Sequence, residues 1–295
     1  MSRVALLLYA DADAFAADAE DFLAEHALRA TVIASTLAAI RNGTVSPVTL
    51  APMPYWFATQ RDSSGKVTGI AMRTSDFPPY LLDLDPEGAA RLADRVQAAG
   101  EQPAGANGTP KAAWAFCERL AVGRPAAIEC TTATRLFRLD ALRAPIGVPG
   151  RGRPAHAGEI DLLAQWVGAF HDEAVRTAGP PPAERLDADR AVVADKIAQA
   201  CQWVWEDEGR IVASAAARPP SFGYARIGPV YTPPADRRRG YAAGVTAVAA
   251  QAILDQGATP CLFTDLANST SNGVYRRLGF RAVDDTVELT VTPGH

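Results

Sequence analysis

The chain has no excess of positive charge: 29 Lys and Arg stand against 33 Asp and Glu, for a net charge of −4. A nucleic-acid binder needs a basic face, which this balance does not imply, so no nucleic-acid partner is expected. Cysteine is sparse, and Cys117, Cys130, Cys201 and Cys261 are far apart with no CxxC among them. That spacing supports neither a zinc site nor a disulfide framework, so no metal is expected. It fits buried, reduced thiols in a cytoplasmic protein. No run approaches the ~18 apolar residues of a membrane span, and no membrane partner is expected. The opening "MSRVALLLYADADAF" turns acidic without a small-residue cleavage site, so it reads as a strand rather than a signal peptide. GxxxxGK[ST], HExxH and GxSxG are absent. "GRGRPAH" fails the dinucleotide pattern GxGxxG, because the third glycine is missing and no clear strand precedes it.

What is present suits a folded protein. A length of 295 residues with 48% hydrophobic and 21% charged residues can bury real cores and reads most naturally as two domains. "APIGVPGRGRP", Ala144 to Pro154, is rich in Pro and Gly and marks the boundary. The reading is a domain over 1–144, a linker over 145–154 and a second domain over 155–295.

In the second half a helical stripe runs through Ile160, Leu163, Val167, Phe170 and Ala174, and "GPPP" at 179–182 ends it. A second helix spans about 185–200 with Val193 and Ile197 inward. "CQWVWEDEGRIVASAAARPP" reads as a hairpin, "YARIGPVYTPP" as a strand, and a helix starts at Gly240 with Gly257 at its end. A strand in "TPCLFTDL", a short helix in "TSNGVYRRLG" and one or two closing strands follow. The first half runs through a similar order: a strand over Arg3–Tyr9, helices near 13–28 and 31–41, a hairpin, a third strand in "PPYLLDL", two helices and a closing strand or two. The fold class is α/β of the α+β kind, two copies of a mixed, mostly antiparallel sheet flanked by helices.

The most informative stretch is "RRRGYAAG", residues 237–244. The first amides of a helix lack partners within it, and the helix dipole favours an anion there. Glycine lets the backbone approach closely, and arginines add planar donors suited to phosphate oxygens. Strand, basic glycine turn and helix together make a pyrophosphate cradle, in preference to a merely solvated basic turn.

The spacing Arg237-x-x-Gly240-x-Ala242 resembles the [RQ]-x-x-G-x-[GA] signature of the GCN5-related N-acetyltransferases (GNAT). "RIGPVYTPP" before it and "FTDLANSTSNGVYRRLGF" after it extend the resemblance from Arg226 to Phe280. The resemblance implies acetyl-CoA as cosubstrate and transfer of its acetyl group to a primary amine on a small molecule or peptide. It implies that Val230, Tyr231 and Thr232 lie on a strand that splays from its neighbour and pairs with the pantetheine arm. It places Arg237, Arg238, Arg239, Gly240, Tyr241, Ala242 and Ala243 at the pyrophosphate. Asn268, Asn272 and Tyr275 fall at the thiol end, with Tyr275 in the place of the general acid. Capping of the next helix is an equal account of Asn268, and a packed core aromatic is the alternative for Tyr275. Trp203 and Trp205 read as packing residues and His171 as a surface or pairing histidine.

The general base does not carry over. Family members place a glutamate in the strand before the cofactor turn, but 225–231 contains no Asp or Glu. Asp172, Glu173, Glu206, Asp207, Glu208 or a water chain are the alternatives. In the first half the corresponding junction, "LDLDPEGAARL", sets Asp85 and Glu87 about Gly88, where carboxylates would repel a pyrophosphate. That half reads as a degenerate GNAT-like domain that packs on the active one. Two other functions stay open: a non-catalytic acyl-CoA-binding or regulatory protein, and an acyltransferase like the mycothiol synthases, which share the tandem form. No sequence feature decides whether the chain forms a homo-oligomer.

Overall fold

A computed structural model of the chain describes residues 5–43, 55–74, 77–123, 125–174 and 183–293. The first half runs β1 (Ala5–Tyr9), α1 (Ala12–Asp18), α2 (Glu20–Glu25), α3 (Thr31–Arg41), β2 (Tyr55–Arg61), β3 (Val67–Thr74), β4 (Tyr80–Leu82), α4 (Pro86–Ala98), β5 (Gly105–Gly108), α5 (Pro110–Ala121) and β6 (Ala126–Leu139). The second runs β7 (Arg151–Pro154), α6 (Ile160–Ala174), α7 (Ala183–Ala198), β8 (Gln202–Asp207), β9 (Arg210–Ala217), β10 (Tyr224–Tyr231), α8 (Tyr241–Asp255), β11 (Thr259–Asp265), α9 (Ser269–Arg277) and β12 (Phe280–Pro293). Arg3 and the "GPPP" at 179–182 lie outside the described residues.

Local chemistry accounts for the elements. α4 starts where the Asp85 carboxylate accepts from the Gly88 amide at 2.7 Å and Pro86 occupies the first turn. Its Ala89, Leu92, Ala93 and Val96 recur at helical spacing and are buried. The segment 12–25 forms two short helices rather than one, broken at Ala19. The closing stretches, expected as one or two strands each, are single fourteen-residue strands, β6 and β12.

All twelve strands form one sheet in the order β1-β2-β3-β4-β5-β12-β6-β11-β10-β9-β8-β7. Among the described residues only β4–β5 and β10–β11 are parallel, one pair in each half. The centre of the sheet is an exchange. β12, from the second half, lies against β5, while β6, from the first, lies against β11. β6 and β12 then pair antiparallel from Phe280↔Leu139 to Pro293↔Ala126. Each half's sheet is therefore completed by the other's last strand. Arg135 adds a two-pronged ion pair to Asp285 across this ladder, and Arg29 bridges Asp83 of the first half to Asp284 of β12.

Helices cover the sheet. α4 and α5 pack on the first half with Leu92, Phe116 and Leu120 buried, and α1–α3 pack with Phe15, Phe22 and Ile33 buried. α8 buries Tyr241, Val245 and Ile253 against β8–β10, together with Trp203 and Trp205. The end of the Pro/Gly stretch is not a free linker. Arg151–Pro154 pair with β8, and Arg153 binds both Glu206 and Glu159. Three cysteines are buried as expected; Cys130 is exposed, because that part of β6 faces solvent. No helix among the described residues is long and apolar enough to cross a membrane.

Candidate functional site

The site begins where two parallel strands part. The β10–β11 ladder runs from Tyr224↔Thr259 to Ile227↔Leu262 and stops, although β10 continues to Tyr231 and β11 to Asp265. A bulge in the β9–β10 register between Ile227 and Val230 sits at the same point, at Gly228 and Pro229. Bulges bend a strand away from its neighbour. Val230 and Tyr231 therefore run on without pairing to β11, and Thr232 follows with its buried Oγ1 lacking any hydrogen-bond partner among the described residues.

At the end of this strand the chain turns into α8. Gly240 caps the helix at φ +87°, in the left-handed region, and an added Cβ would lie 2.9 Å from Val148 Cγ2. The first intrahelical bond runs from the Gly244 amide to Gly240 O, so the amides of Tyr241, Ala242 and Ala243 have no acceptor inside the helix. Arg238, at φ +64°, and Arg239 are exposed at this end. The structure brings the glycine, the free amides and the backbone of these two arginines together, while the Arg239 guanidinium lies beside the Tyr241 hydroxyl.

Two residues of the motif are used otherwise. The Arg237 guanidinium donates to both carboxylate oxygens of Glu173 at 2.7 and 2.8 Å and to Thr232 O at 2.9 Å, beside the Tyr231 ring. Tyr231 also donates to Glu173 Oε1 at 3.3 Å, and desolvation followed by the Glu173 charge raises its pKa. The Tyr241 side chain is core, its hydroxyl donating to Asp207 Oδ2 at 2.5 Å, so only its backbone faces the turn.

On α9, Asn268 caps the helix, accepting from the Ser271 amide at 3.0 Å. Asn272 is buried. Its Nδ2 donates to Asp265 O and Asn268 O, while its Oδ1 has no partner among the described residues. Tyr275 packs edge-on to Phe280, and desolvation pushes its phenol up to about 12.

Beside the splay lies a cavity of about 480 Å³ between the halves. α3 contributes Val32, Thr36 and Ile40; α6 contributes Leu163, Trp166 and Val167; Gly228, Pro229 and Tyr231 form its edge on β10. His171, read as a surface or pairing histidine, lines this cavity and packs edge-on to Phe170. The carboxylates put forward as bases do not line it. Glu206 is held by Arg151 and Arg153, Asp207 by Tyr241, and Glu173 by Arg237. Among the polar groups that do line it, Asp189, Lys196, Gln202, Ser214, Arg218 and Arg226 were missed. One signal was available: Lys196 is three residues from the inward-facing Val193, on the same helical face.

The matching junction in the first half is closed. The Asp85 carboxylate takes the Gly88 amide, and buried Gln60 both donates to Asp85 Oδ2 and accepts from the Asp85 amide, each at 3.0 Å. A Cβ at Gly88 would sit 1.9 Å from Gln60 Oε1. Where α8 leaves free amides, α4 carries its own acceptor. Nor do β4 and β5 part there: Thr109 ties them, its amide donating to Leu81 O and its hydroxyl accepting from the Asp83 amide.

Residues 206–289 match the family model of the FR47-like proteins. No curated protein matches the chain. Among solved structures, a Drosophila protein superposes with a TM-score of 0.64 at 15% identity, all of both chains being covered. A GNAT-family acetyltransferase from Colwellia psychrerythraea gives 0.58 at 12% identity, covering 98% of this chain and all of that one. A tandem GNAT protein from the clavulanic acid biosynthesis pathway gives 0.57 at 13% identity, covering 99% and 98%. The fold is that of the GCN5-related N-acetyltransferases in its tandem form. Within it, the segment that carries the FR47-like match contains the splay, the glycine turn and α9.

Proposed function

We propose that the chain is an acetyl-CoA-dependent N-acetyltransferase acting on a primary amine, with its cosubstrate site in the second half. The observation that carries this reading is the junction of a splayed β10 with a glycine-capped, unfilled helix N-terminus. Bound acetyl-CoA would supply the acyl group as a thioester. The amides of Tyr241 to Ala243, with Arg238 and Arg239, would hold its pyrophosphate, and the backbone of Val230 to Thr232 would pair with the pantetheine arm. The orphaned Thr232 Oγ1 and Asn272 Oδ1 are groups that such a ligand, or water beside it, would satisfy.

The amide of Val230 would then donate to the oxygen that gains charge as the amine attacks. Tyr275 would donate to the departing sulfur. Its phenol, at about 12, stays protonated at neutral pH. Against a free thiol near 8.5, full proton transfer is uphill by roughly 5 kcal/mol. Tyr275 therefore first hydrogen-bonds the thiolate, and transfer follows as the same apolar surroundings raise the basicity of the sulfur. Freeing the amine costs roughly 4–5 kcal/mol at pH 7. Glu206, Asp207 and Glu173 are held by arginines and Tyr241, and none of the five carboxylates lines the cavity, so a water chain is the candidate route this reading favours.

Calorimetry should find one acetyl-CoA site per chain, and a panel of primary amines should contain one that drives release of the CoA thiol. Two equivalent sites would refute the assignment to the second half. Acetyl-CoA binding without amine-dependent release, across amino acids, aminoglycosides and peptides, would favour the non-catalytic acyl-CoA-binding role that the missing strand carboxylate suggests.

A further inference from the structure

The wall of the cavity between the halves carries three basic side chains, Lys196 on α7, Arg218 just after β9 and Arg226 on β10. None of them makes an ion pair with a carboxylate among the described residues. Lys196 Nζ donates to Ala217 O at 2.7 Å, and Arg226 Nη2 reaches Ser35 Oγ at 3.3 Å. A guanidinium has five donors, so most of the capacity of Arg226 is not taken up by the described residues. The three cations also oppose one another: each arginine disfavours the charged form of Lys196, and Arg218 does the same to Arg226. Beside them the hydroxyl of Tyr80, itself buried, has no hydrogen-bond partner among the described residues.

Asp195 favours the charged forms of Lys196 and Arg218 from outside ion-pair distance, and no carboxylate does so for Arg226 among the described residues. Enclosed cations so incompletely compensated are costly, and such clusters occur where an anion completes them. Asp189 lines the same cavity but is not that anion. It stands two turns from Lys196 on α7, about 10 Å along the axis at 1.5 Å per residue, and its charge is not among those acting on Arg218 or Arg226. The rest of the lining is largely apolar, with Val32, Ile40, Met72, Leu163, Trp166 and Val192. The volume of about 480 Å³ suits a compact small molecule and not a folded partner.

We infer that this cavity is the acceptor site, and that the acceptor is an amphipathic amine bearing a carboxylate, bound through Arg226 and Arg218 with its apolar body against α3, α6 and α7. This rests on the acetyltransferase reading for the word acceptor, but the carboxylate preference stands on the cavity alone. The opening at Gly228, Pro229 and Tyr231 connects the two, because the same residues border the splay. A carboxylate takes two parallel bonds from a guanidinium, and Tyr80 can donate a third.

The test is calorimetric titration of the full chain with leucine, phenylalanine, 6-aminohexanoate and 4-(aminomethyl)benzoate, each against its carboxamide. At least one acid should bind roughly 10- to 100-fold more tightly than its amide, as expected for charge-assisted hydrogen bonds. Arg226→Met should abolish that preference without lowering the ligand-free unfolding midpoint, since it removes an unpaired charge. Arg218→Met is the second variant, and should reduce the preference if Arg226→Met does not fold. Acids and amides binding alike, no acid binding at all, or a preference that survives the folded variants would each overturn the inference. Acid preference without amine-dependent CoA release would leave the cavity assignment standing and remove the acetyltransferase reading. Equal acetylation of acids and amides would do the reverse.

Discussion

Lys196 offers a quantitative test of the enclosed charge. It lies on the inward face of α7 and is buried, with its amine on the Ala217 carbonyl. Desolvation first, then the Arg218 guanidinium and, more weakly, Arg226, lower its pKa to about 7; Cys201, with a larger effect than Arg226, and Asp195 act the other way. In the unfolded chain the group titrates near 10.5. Between these values the unfolded state holds a proton that the folded state does not, so stability rises with pH through the window from about 7 to 10.5. Below 7 both states are protonated and the folded state carries the whole penalty. From 10.5 to about 7, at 1.36 kcal/mol per pH unit, that is roughly 5 kcal/mol. Lys196→Met removes the charge and loses one hydrogen bond, worth about 1 kcal/mol. The variant should therefore be more stable than the parent by about 4 kcal/mol at pH 6.5, with the gap closing near pH 9.5. Urea unfolding of both proteins at several pH values reads this directly. Burial also pushes the thiols of Cys117 and Cys261 up, to about 12 and 11, which lowers stability as the unfolded thiols ionise. That contribution is common to both proteins and cancels in the difference. Parallel curves, or a variant less stable at pH 6.5, would refute the reasoning.

Gly240→Val should weaken acetyl-CoA binding strongly, because a β-branched side chain at φ +87° meets Val148 and fills the turn. Arg238→Ala should weaken it less and lose its effect in high salt; unchanged calorimetric affinity in a folded Gly240 variant would place the cradle elsewhere. Tyr275→Phe keeps the contact with Phe280 and removes the hydroxyl, so turnover should fall roughly 10²-fold or more while acetyl-CoA affinity changes little. Parental turnover in a chemistry-limited assay would reduce Tyr275 to a wall residue.

Much of this was readable in the sequence for physical reasons that act locally. The helices and hairpins followed from periodicity and turn chemistry, and the glycine turn followed from helix-end electrostatics. β5 was missed because "GANG" has little strand propensity. Its glycines answer to tertiary contact: a Cβ at Gly105 would lie 1.8 Å from Leu289 O, and one at Gly108 1.9 Å from Leu81 O. Leu81 belongs to β4 and Leu289 to β12, so the residues that explain β5 are distant in sequence, one of them in the other half. The exchange of β6 and β12 was hidden for a similar reason. Both are long closing strands in corresponding positions, and nothing within either one says which sheet it joins. At the site, Gly240 could be found from its motif, whereas Lys196, Arg218 and Arg226 come from three separate segments. Each reads as an ordinary basic residue until the fold encloses them together.

The exchange explains why a half with a closed cradle still matters to the other. Gln60 and Asp85 fill the helix end at the start of α4, so that junction offers no opening comparable to the one at α8. The first half's α3 and Tyr80 instead form one wall of the cavity beside β10. Ser35 of α3 accepts from Arg226, and Thr31 of the same helix lies 3.9 Å from Cys261 Sγ on β11. Two domains joined only by a tether would drift relative to one another, and a wall held that way could not keep Ser35 and Arg226 in register. Here the β6–β12 ladder and the Arg29 bridge to Asp83 and Asp284 make the halves parts of one sheet. The geometry of the cavity is thus set by strand pairing in the middle of the protein rather than by the contacts at its own rim.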